Sequence, residues 1–193
     1  YYQKMQMDQA LQAGVIYADM EKAHAARDGE KLERAFEDLK AQFPKTVYTE
    51  QAALLAAQVL ELAKPAESKA ALKWLADNGK QPGYVAIARL RLAAFALQAK
   101  NYAEALQYLS SGIPSDFAAL AADRRGDIYM AQDKKAEAKA EYLKAYADMP
   151  ETQSYRGLIE IKLNALGVDA KAEKPPAANA KAAAPGAAAC AKV

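Results

Sequence analysis

Two consecutive segments of the chain, residues 84–117 and 117–150, repeat one pattern of small, aromatic and turn-forming residues. Shifting the first segment forward by 33 positions places Ala93 on Gly126. The same shift brings four further pairs into register: Ala96 with Tyr129, Ala105 with Ala138, Leu109 with Tyr142, and Gly112 with Ala145. A repeat of this length has room for two helices and a turn, and one such hairpin cannot bury its apolar face alone. The period therefore predicts helical hairpins that stack on their neighbours.

The spacing inside the second segment is typical of tetratricopeptide repeats. In such a repeat a small residue on the first helix lets the second helix approach, aromatic residues fill the groove between them, and Pro ends the second helix. Gly126 has the position of the small residue, Tyr129 and Tyr142 those of the aromatic fillers, and Pro150 that of the stop. We assign repeat packing to nine residues: Ala93, Ala105, Leu109, Gly126, Tyr129, Ala138, Tyr142, Ala145 and Pro150.

Composition favours the same fold class. The chain holds only nine Gly and eight Pro among its 193 residues. Most long stretches without Gly or Pro are rich in Ala, Leu, Glu, Lys and Gln, which lose little side-chain entropy in a helix. Alternating Val, Ile and Thr runs of strand length do not occur. We predict an all-α, tetratricopeptide-like solenoid of helical hairpins with a C-terminal capping helix and a disordered tail.

The predicted repeat domain covers residues 1–166, and the Ala, Lys and Pro-rich residues 167–193 form the tail. Helix pairs are expected at about 3–43, 47–79, 84–112 and 117–149. An amphipathic helix at 152–166 would cap the open end of the stack, which terminal repeats need for solubility. Three of its residues are expected to point inward: Leu158, Ile161 and Leu166.

Charge argues against nucleic acid and anionic lipid as partners of the folded part. The formal net charge of +2 lies in residues 167–193, which leaves 22 basic and 22 acidic residues in positions 1–166. The single cysteine, Cys190, lies in the tail, so no internal disulfide is expected. No stretch of about 20 apolar residues is present to span a membrane.

The sequence contains no recognisable arrangement of catalytic residues. Histidine occurs once, as His24 near the end of a predicted helix, where a cation is favourable. No zinc-ligand spacing, phosphate-binding Gly-rich loop, nucleophile elbow or dinucleotide fingerprint is present. We therefore expect no enzymatic activity, no metal and no cofactor. Arg124 and Arg125, which lie beside Asp123 and Asp127 in the sequence, leave two alternatives open: they form surface ion pairs, or they clamp a carboxylate.

Three stretches of the chain, residues 88–109, 118–146 and 159–166, resemble the tetratricopeptide-like ancillary subunit of the bacterial SecYEG translocon. The resemblance covers roughly residues 1–166. Two features distinguish this family from other tetratricopeptide proteins. One is the motif Asp123 to Gly126, with Arg before the glycine, and the other is the closing helix with its motif Lys162 to Leu166. The tail is not part of the family pattern.

The resemblance implies a non-catalytic protein–protein interaction module. Members of this family are single-pass proteins of the bacterial inner membrane whose repeat domain lies in the periplasm. Its implied partners are the Sec translocon, periplasmic chaperones and exported polypeptides, and it implies a membrane anchor upstream of Tyr1 that this chain lacks. The apolar start of the chain, residues 1–7, is then either a fraying surface or the segment that follows such an anchor.

The resemblance also implies where partners bind. Tetratricopeptide domains bind them through the first helix of each repeat, one residue stripe away from the packing stripe. Carried over by position, this predicts a partner-binding groove of six residues: Leu90, Ala94, Leu97, Asp123, Asp127 and Met130. Two alternatives stay open, an adaptor of another envelope assembly and a structural homo-oligomer whose stack ends pair.

Overall fold

The fold is all-α, as predicted. In a computed structural model, residues 2–172 can be described, apart from the side chain of Tyr2. Within that range the chain forms α-helices and one short 3-10 turn, with no strand. Residues 173–193, which include Cys190 and most of the predicted tail, lie outside the described range.

The helices follow one another with short connections and pack as a series of hairpins. Their bounds are α1 Tyr2–Ala25, α2 Gly29–Gln42, α3 Val47–Leu60, α4 Pro65–Asn78, α5 Pro82–Gln98, α6 Tyr102–Tyr108, α7 Ala118–Ala131, α8 Lys135–Asp148 and α9 Tyr155–Ala165. Each odd-numbered helix from α1 to α7 packs on the even-numbered helix that follows it. The first helices of the hairpins also contact one another in order, α1 with α3, α3 with α5 and α5 with α7. This is the stacking of a tetratricopeptide-like solenoid.

Three of the hairpins use the same turn. Arg27, Lys100 and Asp133 follow α1, α5 and α7 and have left-handed backbones, with φ of 57°, 58° and 58°. The N–H of the next residue then reaches back five positions, as in the 2.9 Å bond from Lys134 N to Tyr129 O. This is a Schellman motif, which satisfies carbonyls that the helix end would leave unpaired. The shared motif gives the hairpins a common geometry although their turn sequences differ.

Close approach within the last hairpin depends on a glycine. Gly126 on α7 is buried against Tyr142 on α8, and a Cβ at position 126 would lie 2.5 Å from Cδ1 and 2.9 Å from Cζ of that ring. The other small or aliphatic residues that the sequence assigns to repeat packing are also buried: Ala93, Ala105, Leu109, Ala138 and Ala145. Tyr129 is half-buried against the same core. Pro150 is exposed, so it does not pack, and it follows an extended Met149 just after α8 ends.

The third hairpin departs from the predicted register. Helix α6 ends at Tyr108, and the residues that follow it include Gly112 with a φ of +69°. Gly112 therefore lies in a loop and is not equivalent to Ala145, which is buried in α8. The sequence Ser110–Pro114 contains two Ser, a Gly and a Pro, which favour turns and end the helix early.

The capping helix α9 buries a different face from the one predicted. Ile159 and Leu163 are fully buried, whereas Leu158 and Ile161 are 44% and 64% exposed. The expectation that Leu158 and Ile161 point inward is wrong, because α9 is rotated so that the neighbouring stripe meets α8. Leu166 does pack against this core, where it is half-buried.

The packed core continues beyond the predicted domain end at residue 166. Val168 and Ala170 are only 3% and 5% exposed and join the core of the last hairpin. Lys171 then lies 3.3 Å from Glu160 of α9. The described part of the predicted tail, residues 167–172, is thus held against the repeat domain, which the Ala-rich composition did not indicate.

Candidate partner-binding groove

The predicted groove residues on α5 are partly buried. Leu90, Ala94 and Leu97 are all half-buried. Leu90 and Leu97 pack against a core cluster that includes Ile128 of α7. These two leucines therefore contribute to packing between hairpins, and only the remaining part of each side chain is open to a partner.

Asp123 on α7 lies in the interior, although the sequence predicts it in an open groove. Its side chain is 2% exposed. Tyr155 of α9 donates its hydroxyl proton to Oδ2 of Asp123 at 2.7 Å, and Lys162 Nζ lies 2.8 Å from Oδ1 and 3.0 Å from Oδ2. The groove assignment of Asp123 is therefore corrected, because α9 covers this carboxylate.

Asp127 lies one helical turn further along α7 and shares the same lysine. Lys162 Nζ donates to its Oδ1 at 2.8 Å, and the hydroxyl of Tyr142 donates to the same oxygen at 2.7 Å. Arg124 approaches the other carboxylate oxygen at 3.9 Å. Asp127 keeps 24% of its side-chain surface exposed, so it forms the rim of the arrangement. We call Asp123, Asp127, Tyr142, Tyr155 and Lys162 together the Lys162 site.

Helical spacing explains why these groups meet. Asp123 and Asp127 are four residues apart, which places both carboxylates on one face of α7. Tyr155 and Lys162 are seven residues apart and so share one face of α9 over two turns. Tyr142 reaches the same place because its ring lies against Gly126. The Lys162 site thus connects α7, α8 and α9.

The charges of the Lys162 site balance when the neighbouring Arg124 is included. Two carboxylates meet the ammonium of Lys162 and, at the rim, the guanidinium of Arg124. A buried charge is tolerated only when it is paired and hydrogen-bonded, and Asp123 satisfies both conditions. Its chemical role is therefore to fix α9 onto the last hairpin.

The two tyrosines of the site act as hydrogen-bond donors over a wide pH range. Burial raises the pKa of Tyr142 well above its ordinary value, and its hydrogen bond to the Asp127 carboxylate raises it further. Burial and the hydrogen bond to Asp123 likewise raise the pKa of Tyr155. Both phenols therefore remain protonated at neutral pH.

Sequence reasoning missed Tyr155 and Lys162 as members of this site. The seven-residue spacing of two long polar side chains beside a buried apolar stripe is the signal that could have indicated them. Their partners are 32 to 39 positions away in sequence, so the pairing itself depends on the tertiary fold.

The paired arginines of α7 form ion pairs within the domain. Arg125 donates from Nε to Glu141 at 2.8 Å and from Nη1 to the carbonyl of Leu109 at 3.2 Å. Arg124 faces Asp127. These contacts agree with the ion-pair alternative for the two arginines.

Met130 is the predicted groove residue with an open surface cavity beside it. Its side chain is 36% exposed. The adjoining cavity has a volume of about 570 Å³ and lies between the α7–α8 turn and the end of α9. It is lined by Met130, Lys135, Ala136, Lys139, Ala165 and Leu166. A lining in which Met130, Ala136, Ala165 and Leu166 are apolar suits an apolar side chain of a partner.

Residues 2–172 contain neither a metal-binding cluster nor a membrane-spanning helix. No cluster of three or more His, Cys, Asp or Glu side chains in this range has a geometry that could hold a metal ion. None of the helices described is both long and apolar enough to cross a bilayer.

A family model and a relative similar in sequence to this chain agree with its fold and indicate its family. The model of the tetratricopeptide repeat-like domain family matches residues 1–168. The chain is 31% identical over 167 residues to a protein of Neisseria gonorrhoeae (strain ATCC 700825 / FA 1090) named ancillary SecYEG translocon subunit. That alignment covers 86% of this chain and 80% of the relative. No solved structure matches.

The chain belongs to the tetratricopeptide repeat-like family and, within it, to the family of the ancillary SecYEG translocon subunit.

Proposed function

We propose that this chain is a non-catalytic protein–protein interaction domain that associates with the Sec translocon. The observation that carries the proposal is the 31% identity to an ancillary SecYEG translocon subunit over 86% of the chain. Stacked helical hairpins support it, because such folds offer extended surfaces for binding other polypeptides.

The finer part of the proposal concerns location and partners. The domain works in the periplasm, held at the inner membrane by an anchor outside this chain, and links exported polypeptides to periplasmic chaperones. This part rests on the family resemblance. The charge balance of residues 1–166 supports protein partners over nucleic acid.

We place one partner contact at Met130 and the cavity beside it. The cavity is open, its lining is largely apolar, and methionine adapts to different partner side chains. Asp123 has no part in this contact, because α9 covers it. Asp127, at the rim of the Lys162 site, lies one turn before Met130 on α7 and stays a candidate neighbour of the contact.

Site-specific photo-crosslinking tests this placement. The full-length protein carries a photoreactive residue at Met130 in its own cells, and crosslinked partners are identified by mass spectrometry. A probe at Leu62, which is 97% exposed on the α3–α4 turn, is the matched control. We expect translocon subunits, chaperones or exported chains at Met130 and not at Leu62. Equal labelling of the same proteins from both positions would remove the cavity from the proposal.

A further inference from the structure

The outer face of α1 carries a stripe of exposed apolar side chains. Met7, Leu11 and Val15 are 64%, 66% and 64% exposed and follow one another at intervals of four residues. Residues four apart lie above one another on a helix, so the three side chains share one face. Single exposed apolar residues are ordinary on a protein surface, but three in a row on one helix face indicate a contact.

The stripe has the spacing of a helix–helix seam. The exposed residues along this face of α1 follow one another at steps of three or four positions: Lys4, Met7, Leu11, Val15, Ala18 and Lys22. Such steps keep the side chains on one face of the helix, along which a second helix can pack. The opposite face of α1 is occupied by the domain itself, with Ala13, Met20 and Ala23 buried.

The first part of α1 also has little support from its own domain. α1 is 24 residues long and α2, against which it packs, is 14. Every residue from position 3 to position 9 is exposed. Exposed turns of helix gain little from packing, so a second helix alongside them would stabilise this arm.

We propose that α1 pairs antiparallel with α1 of a second copy of this chain. With a two-fold axis beside Leu11, Met7 of each copy lies opposite Val15 of the partner subunit, because both are four positions from the centre. The stripe is thus self-complementary, as an isologous interface requires. The exposed arm of each copy then lies along the part of α1 that is packed on its own domain.

The charges beside the stripe favour this antiparallel register. In this register the residue directly opposite Lys4 is Ala18 of the partner subunit. Asp19 of the partner subunit comes next in the chain and lies on the same flank as Lys4. Asp19 is half-exposed and holds Lys22 at 3.1 Å, so one of its carboxylate oxygens is available for a second cation. A parallel pair would place Lys4 against the partner's Lys4. Opposite charges at the flank and apolar residues at the centre therefore select a second copy over an unrelated apolar surface.

This pairing goes beyond the proposed function and does not depend on it. Sedimentation of the purified chain over a range of concentrations tests it directly. We expect a monomer–dimer equilibrium, and Leu11→Glu is expected to raise the dissociation constant by about tenfold or more, because it buries a charge at the two-fold axis. Leu62→Glu, at a residue 97% exposed on the α3–α4 turn and outside the α1 stripe, is the control and leaves the equilibrium unchanged. Since Leu11 is exposed, the Leu11→Glu variant is expected to match the circular dichroism and melting of the parent when both are measured at a concentration at which the parent is monomeric.

A charge exchange tests the register. Lys4→Glu and Asp19→Lys each weaken the dimer, and the double variant restores it. Cysteine at position 11, in a Cys190→Ser background, forms a disulfide between two copies on mild oxidation, whereas cysteine at position 62 does not. A chain that stays monomeric at every concentration, or a dimer that survives Leu11→Glu, overturns the pairing. Monomers that instead bind lipid vesicles through Leu11 also overturn it, and failure of the double variant to recover overturns the antiparallel register.

Discussion

Lys162 of α9 places its ammonium between Asp123 and Asp127 of α7, 2.8 Å from one oxygen of each carboxylate. A single side chain thereby joins the last helix to the last hairpin. The arrangement pairs both carboxylates within the domain and leaves Asp123 buried beneath α9.

Removing the lysine should destabilise the domain more than removing a surface lysine. We expect Lys162→Met to lower the free energy of unfolding by about 3 kcal/mol, because it leaves the buried Asp123 without its cation. Lys144→Met, at a half-exposed lysine that pairs with Glu141, should change it by less than about 1 kcal/mol. Chemical denaturation of the two variants measures the difference. Equal effects would show that the Lys162 site contributes no more than a surface ion pair.

The contact between Gly126 and Tyr142 gives a second prediction. Gly126→Ala should destabilise the domain by about 1–3 kcal/mol, since the added Cβ meets the Tyr142 ring at less than van der Waals distance. Gly157→Ala is the matched control, because a Cβ there meets nothing within 4 Å and alanine favours α9. We expect that control to melt at or above the parent temperature. Calorimetry decides, and a Gly126→Ala variant that melts like the parent would contradict the packing described here. Larger residues at position 126, such as Leu, should cost still more.

The rotation of α9 can be checked with two neighbouring isoleucines. Ile159→Ala should cost about 2–4 kcal/mol, because Ile159 is fully buried. Ile161→Ala, at a residue 64% exposed, should stay within about 0.5 kcal/mol of the parent. Urea denaturation measures both variants. A larger loss of stability from Ile161→Ala than from Ile159→Ala would show that α9 buries the face that the sequence predicts.

The tyrosines of the Lys162 site predict a loss of stability at alkaline pH. Burial, and then hydrogen bonding to a carboxylate, raises the pKa of Tyr142 and Tyr155 above the unfolded value near 10. A group that binds its proton more tightly when folded stabilises the fold below its unfolded pKa, and this stabilisation is lost as pH rises toward the folded value. The free energy of unfolding should therefore fall above about pH 10.

Replacing both phenols should reduce that pH dependence, and Tyr17 and Tyr108, whose pKa burial also raises, keep the remainder. The double variant Tyr142→Phe with Tyr155→Phe should show a flatter stability profile above about pH 10, while Ile161→Ala keeps the slope of the parent. Denaturant unfolding at a series of pH values provides the measurement. A parent profile that is flat in this range would mean that the two hydroxyls are not buried donors.

The hairpin architecture could be predicted because its determinants are local. Gly126 and Tyr142 are 16 positions apart within one hairpin, and they are in contact in the structure. The start of α2 after Asp28 and the end of α8 before Pro150 likewise follow from nearby residues in the sequence. The early end of α6 was missed because the repeat alignment outweighed the turn-forming residues 110–114.

The Lys162 site could not be predicted from the sequence, because it depends on how α9 is rotated. Two apolar stripes are compatible with the pattern of α9, one with Leu158 and Ile161 and one with Ile159 and Leu163. The choice between them is made by packing on α8 and by the pairing of Lys162 with Asp123, 39 positions away. Periodicity alone gives no information on either contact.

Association with the Sec translocon is the central claim, and co-purification at native abundance tests it most directly. The full-length protein, tagged at its own locus, is isolated from gently solubilised membranes, and the channel-forming subunits are quantified against an untagged strain. We predict that these subunits are enriched with the parent and with the Gly157→Ala control. Their absence, in a preparation where the channel subunits still purify with one another, would contradict the proposed function.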